Sequence, residues 1–173
     1  MNKYIPKMYQ KSIYTIDYSK LLNKGIKCIL FDLDNTLITK DQKEEPVKAK
    51  KLITSLKQKG FKVIIFSNST PKKVSKYMNY FKIDGISFAF KPALKSFKKI
   101  LTQTNLKKTE IVIIGDQLLT DIVGGNNFGI ITILVNPISN HDLFITKLNR
   151  IREKRIINKL TKENLFKKGE YYE

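Results

Sequence analysis

The chain has little of what cross-links or anchors a protein. Of its 173 residues one is cysteine, Cys28, so no internal disulfide can form and an intracellular compartment is the default. Cys28 sits in an apolar stretch and reads as a small buried side chain. The single histidine, His141, falls in the loop Asn136-Pro137-Ile138-Ser139-Asn140-His141, where no catalytic role is expected. No run reaches the ~18 apolar residues that a spanning helix needs. The basic start, Met1 to Lys7, is not followed by the apolar segment of a secretory signal. These absences predict a cytoplasmic protein whose only membrane contact is peripheral, at the inner face. Acidic residues are scarce as well, 15 against 33 Lys and Arg, for a net charge of +18. A field of that sign draws nucleic acid, anionic lipid or phosphorylated substrates. The lysines spread along the whole chain, which equally fits a compositional habit of an AT-rich source genome.

What is present suits one domain. The apolar fraction of 42% is ordinary for a globular fold. Apolar strands are expected at Lys27 to Leu33, Lys62 to Phe66, Ile86 to Phe90, Ile111 to Ile114 and Ile130 to Val135. Helical segments lie between them: Val47 to Lys59, Lys72 to Phe81, Ala93 to Leu101 and Leu118 to Asn126. Such alternation of continuous apolar strands with helices predicts an α/β fold, a parallel sheet of about five strands covered on both faces. Residues 1–25 read as an arm packed on the domain, with a short helix near Tyr18 to Asn23. Residues 26–140 form the domain, and 141–173 a basic helical tail.

Polar residues fall just after four of these strands: Asp32 and Asp34, Ser67, Lys91 and Asp116. Ligands of open α/β sheets bind outside the carboxyl ends of the strands, so four such ends predict one shared site. Asp32 and Asp34, two apart on an extended chain, face the same side. Two carboxylates so placed call for a positive partner, and a hard divalent cation is the simplest. Singly, Asp34 or Asp116 would read as a cap, Ser67 as a turn residue and Lys91 as a solvated lysine. Together they point to a catalytic constellation.

These residues carry a resemblance. Asp32-Leu33-Asp34-Asn35-Thr36-Leu37 resembles the D-x-D-x-[TV] motif of the haloacid dehalogenase (HAD) superfamily. Ser67, Lys91-Pro92 and Gly115-Asp116-Gln117-Leu118-Leu119-Thr120-Asp121 resemble its second, third and fourth motifs. With Ser67-Asn68-Ser69, the continuation to Asn126, and Thr146-Lys147-Leu148-Asn149-Arg150, the chain is similar to the YqeG family. This is a subfamily IIIA group related to phosphatidylglycerophosphate phosphatases, and the likeness spans roughly residues 10–155.

The resemblance implies a HAD-like Rossmannoid fold and Mg²⁺-dependent phosphomonoester hydrolysis through an aspartyl phosphate. In that pattern Asp32 is the nucleophile and Asp34 the acid and base. Ser67 and Lys91 hold the phosphate, with Asn35, Thr36 and Asn68 as further substrate donors. Asp32, Asp34 and Asp116 bind the metal, Asp34 through its backbone carbonyl, and Asp121 supports the metal or Lys91 from behind.

The gaps 37–66 and 68–90 are too short for a cap domain, so the site should stand open. An open site suits a large or surface-bound substrate, with phosphatidylglycerophosphate leading. A nucleic-acid-end phosphatase and a non-catalytic RNA-binding or assembly protein remain alternatives. The basic tail, with Leu143, Phe144, Leu148, Ile151, Ile156, Ile157 and Leu160 among Lys and Arg, fits packing on its own domain or docking on an anionic membrane. The sequence leaves the oligomeric state open.

Overall fold

The computed structural model describes residues 3–139 and 144–173, with side chains for all of these except 144–148. His141 and Leu143, and the side chains of Phe144, Lys147 and Leu148, lie outside that description. The strands are β1 Met8–Gln10, β2 Cys28–Phe31, β3 Lys62–Phe66, β4 Asp84–Ile86, β5 Ile111–Gly115 and β6 Ile131–Val135. The helices are α1 Tyr18–Asn23, α2 Val47–Gln58, α3 Pro71–Phe81, α4 Leu94–Thr104, α5 Val123–Phe128 and α6 Phe144–Lys162. All strand pairs are parallel, in the order β1-β6-β5-β2-β3-β4.

Alternate residues of each central strand enter opposite faces, and both faces are buried. Ile29, Phe31, Val63, Ile65, Val112 and Ile114 pack with Leu21, Ile53, Val74 and Phe81 of α1 to α3. Cys28, Leu30, Ile64, Phe66, Ile111 and Ile113 pack with Phe97 and Ile100 of α4 and Phe128 of α5. This double burial is why the strands read as unbroken apolar runs. Cys28 is buried, as its setting in the sequence indicates.

Two elements depart from the sequence expectation. The sheet has six strands, because Met8–Gln10 of the arm pairs with β6. The strand expected at Ile86 to Phe90 ends at Ile86 instead. Phe88 and Phe90 adopt positive φ (43° and 51°), which no ladder accommodates. The described part of the tail packs on the domain. Leu160 and Phe166 are buried against Tyr9, Leu118, Ile122 and Leu134, while Arg152, Lys154, Arg155 and Lys159 point outward. Tyr172 and Tyr9 exchange backbone hydrogen bonds of 2.9 Å, so the tail ends on the β1 edge. The intervals between the site strands hold one helix and one strand each, α2 with β3 and α3 with β4, and no cap domain. Among the described residues no helix is long and apolar enough to cross a membrane.

Candidate active site

The site forms where β2, β3 and β5 end. The ladder carries on one residue past β2, as Asp32 N–H donates to the Ile114 carbonyl (2.9 Å). The chain then turns tightly. Leu37 and Ile38 both donate back to the Leu33 carbonyl, and Asn35 takes φ 64° at the apex. Asparagine tolerates that left-handed conformation better than most residues. The turn leaves Asp32 and Asp34 lining one cleft of about 320 Å³ with Ser67, Asn68, Ser69 and Lys91.

Lys91 is the pivot. Its ammonium donates to Asp32 Oδ1 (2.7 Å), Asp121 Oδ1 (2.6 Å) and the Phe66 carbonyl (2.7 Å). An ammonium has three donors, and all three are engaged. The lysine side chain is 1% exposed. Burial pulls its pKa down, but Asp121 and Asp32 more than offset this and hold it above the ordinary lysine value. The peptide Lys91-Pro92 is cis.

Asp116 follows β5, its carboxylate fully buried. Thr36 Oγ1 donates to its Oδ1 (3.2 Å). The Arg150 guanidinium, from α6, donates to its Oδ2 and to its backbone carbonyl (2.8 Å). Arg150 also meets Glu153 Oε2 (3.0 Å), and Glu153 Oε1 accepts from Leu119 N–H (3.0 Å). Asp121 completes the group, with Oδ2 accepting from Gln117 N–H (3.1 Å). Gly115 is required beside it, because a Cβ there would lie 2.2 Å from the Asp121 carboxyl carbon.

The donor set fits a cation. Asp32, Asp116 and Asp121 each bring a carboxylate oxygen within 4.8 Å of the others. Asp32 Oδ2 is buried with no hydrogen-bond partner, which asks for a proton or a metal. Burial pushes the Asp32 carboxyl up to about 8 against the pull of Lys91, and pushes Asp116 up to about 6 against the pull of Arg150. Four carboxylates, with Glu153, face the two cations Lys91 and Arg150. When all are ionised two negative charges remain, the charge a divalent ion cancels.

The sequence-predicted residues are therefore brought together, several of them engaged with one another. Asp34 lines the same cleft as Asp32. Its carboxylate accepts from Ser69 Oγ and Lys73 Nζ. Asn68 is engaged with the Lys91 backbone, accepting from Lys91 N–H (2.7 Å) and donating to the Lys91 carbonyl (3.1 Å). The Asn35 amide donates to Ile38 (2.7 Å) and its side-chain oxygen accepts from Ser139 (2.9 Å). The Thr36 hydroxyl is on Asp116. In this structure these three serve the turn and the site's own side chains. Ser67 lies buried at the cleft wall, its Oγ accepting from Ser69 N–H (3.1 Å). Sequence reasoning gave no site role to Lys73, Glu153 or Arg150, although Arg150 closes a stretch that carries the family likeness. Arg150 and Glu153 sit three apart on one helix, but nothing local ties them to an acid 34 residues earlier.

Comparison with known proteins agrees with this geometry. The family model described as haloacid dehalogenase-like hydrolase matches residues 29–114, and a second, HAD-hydrolase-like, matches residues 89–160. The chain is 38% identical over 160 residues to the probable phosphatase YqeG of Bacillus subtilis, covering 92% of this chain and 93% of that one. It is 25% identical to phosphatidylglycerophosphate phosphatase 1 of Arabidopsis thaliana, over 93% of this chain and 49% of the relative, so it spans about half of that protein. Among solved structures, a predicted HAD-like hydrolase of Porphyromonas gingivalis shares the fold (TM-score 0.54, 15% identity, 74% of this chain and 98% of that one). An uncharacterized protein of Listeria monocytogenes does so as well (TM-score 0.53, 22% identity, 68% and 85%). With the acids and Lys91 gathered in one cleft, the chain belongs to the YqeG family of HAD-superfamily phosphatases, hydrolases of phosphomonoesters.

Proposed function

We propose that the protein is a Mg²⁺-dependent phosphomonoesterase that forms an aspartyl phosphate on Asp32. The observation that carries this reading is the partnerless Asp32 oxygen, buried at the cleft floor beside Lys91. Asp32 and Asp116, with the Asp34 backbone carbonyl that the family pattern adds, would hold the ion. An oxygen-only donor set suits Mg²⁺. When bound, that ion offsets the repulsion between a carboxylate nucleophile and phosphate oxygens.

An Asp32 oxygen attacks phosphorus, and the bond to the leaving oxygen breaks. Asp34, oriented by Ser69 and Lys73, supplies the proton that the leaving group takes. It then removes a proton from water, whose oxygen attacks the phosphoaspartate, releases phosphate and restores Asp32. As Asp32 turns to phosphorus, Lys91 exchanges that contact for a phosphate oxygen while Asp121 and Phe66 keep it in place. Ser67 presents its hydroxyl to a second oxygen. Asn68 fixes the Lys91 backbone throughout.

The uncapped cleft and the likeness to a phosphatidylglycerophosphate phosphatase support a large, lipid-borne phosphate as substrate. The test is hydrolysis of p-nitrophenyl phosphate with and without Mg²⁺, by wild type and Asp32→Asn, followed by phosphatidylglycerophosphate in vesicles. Turnover that is Mg²⁺-dependent and lost in Asp32→Asn is expected; equal turnover by the two proteins ends the reading. Activity confined to a phosphorylated oligonucleotide would transfer the same chemistry to nucleic-acid ends.

A further inference from the structure

We propose that Phe88 and Phe90 form an aromatic wedge that seats the mouth of the cleft on an anionic lipid bilayer. The inference deepens the lipid-phosphate reading of the site and rests on it. After β4 the chain runs Ser87-Phe88-Ala89-Phe90 into Lys91, which lines the cleft. Phe88 N–H donates to the Ser69 carbonyl (3.0 Å), Ala89 N–H to the Ser67 carbonyl (2.9 Å) and Lys91 N–H to Asn68 Oδ1 (2.7 Å). This stitching points Ala89 and Lys91 inward, where both are buried, and turns the two rings out. Phe88 is 45% and Phe90 69% exposed.

Both phenylalanines hold positive φ, a conformation that a bulky residue rarely adopts. A polar residue would be the ordinary choice at an exposed position of this kind. The rings stack on one another, centroids 5.9 Å apart and 22° from coplanar, making one apolar tip. Leu94, 37% exposed at the start of α4, follows four residues later.

The occupant follows from chemistry. The tip offers no polar side chain to read a base edge, and the two rings already stack on each other, which disfavours nucleic acid. Exposed lysines follow the segments that carry it, Lys72 three residues after Ser69 and Lys95 five after Phe90, on a chain of charge +18. Aromatic rings on so basic a chain match a bilayer with anionic headgroups. Ser69 and Asn68, which anchor this loop, also line the cleft. A wedge in the headgroup layer therefore sets the cleft at the level of lipid phosphates.

The test uses the full chain with vesicles of phosphatidylcholine and phosphatidylglycerol in equal amounts, and with phosphatidylcholine alone. Wild type is expected to sediment with the anionic vesicles and, at raised salt, to be released. Phe88→Ser/Phe90→Ser should bind them roughly 100-fold more weakly, about tenfold per ring removed, while hydrolysing p-nitrophenyl phosphate at the wild-type rate. Because the chain has no tryptophan, Phe90→Trp supplies a reporter. Its emission should shift to the blue, and lipids brominated on their chains should quench it, whether or not the enzyme turns over. Equal vesicle binding by wild type and the double variant, or an unshifted emission from Phe90→Trp on the anionic vesicles, overturns the proposal. So does a wild-type dimer that the double substitution splits, or RNA binding that it abolishes. Absence of p-nitrophenyl phosphate turnover in wild type would sink the phosphatase reading and leave the vesicle result to decide the wedge.

Discussion

Replacing Arg150 with methionine probes the contact by which the C-terminal helix grips the site. The guanidinium meets Asp116 at its carboxylate and carbonyl, and meets Glu153 at 3.0 Å. Asp116 and Glu153 side chains are 0% and 5% exposed, while Arg150 keeps 24% of its own exposure. Removing one partner of a buried ion pair costs roughly 3–5 kcal/mol, and the partial exposure of Arg150 favours the lower end, about 3 kcal/mol. For a chain of this size that lowers Tm by roughly 6–12 °C. The sign of the pH dependence is fixed by the two acids. Burial raises Asp116 to about 6 even with Arg150 beside it, and burial raises Glu153 also. Folding therefore penalises their charged forms, a penalty present at neutral pH and relieved as pH falls through the folded values towards ~4. Loss of Arg150 enlarges that penalty. Urea melts followed by circular dichroism should show a gap between Arg150→Met and wild type that is widest at neutral pH and narrows in acid. Adding Glu153→Gln should recover about 1–2 kcal/mol, since one uncompensated charge disappears. A variant as stable as wild type at neutral pH, or a gap that widens in acid, would refute the reasoning.

Lys91→Met leaves Asp32 and Asp121 buried together without their cation; it should cost about 3–5 kcal/mol in denaturant melts and abolish turnover. Burial raises the Asp32 carboxyl towards about 8 against the pull of Lys91. Mg²⁺ binding should therefore release protons near neutral pH, and affinity should rise with pH. Calorimetry in buffers of different ionisation enthalpy measures the release, and no proton release would contradict the burial argument. Gly115→Ala drives a Cβ into the Asp121 carboxyl; kcat on p-nitrophenyl phosphate should fall at least tenfold while the far-ultraviolet circular dichroism is kept.

The central sheet and the acids of the cleft were legible because two local signals coincide. Continuous apolar runs mark strands buried on both faces, and Asp32, Ser67 and Asp116 each stand just past a strand end, while Lys91 follows β4 by five residues. The edge strand Met8–Gln10 carries no such signal, being three residues held by β6 and by Tyr172 from the far end of the chain. Residues 86–90 read as one strand because Phe88 and Phe90 look apolar and extended; only tertiary hydrogen bonds force them out of the ladder. Arg150 stood in a stretch that carries the family likeness, but on a basic helix with no sign of a tie to Asp116. Its role depends on packing that brings α6 against the Leu118–Ile122 turn, a contact between segments that share no local pattern. Lys73 was hidden in the same way, on the first turn of α3 and reaching across to Asp34.

The most direct test of the central claim is to trap the covalent intermediate. Wild-type protein, acid-quenched during turnover of p-nitrophenyl phosphate with Mg²⁺, is reduced with labelled borohydride, which converts an aspartyl phosphate to homoserine. Peptide mass spectrometry should place the label at position 32 alone, and Asp32→Asn should carry none. Label at another aspartate, or steady turnover with no label anywhere, would contradict a site in which the strand tips gather one cation and one phosphoryl group around Asp32.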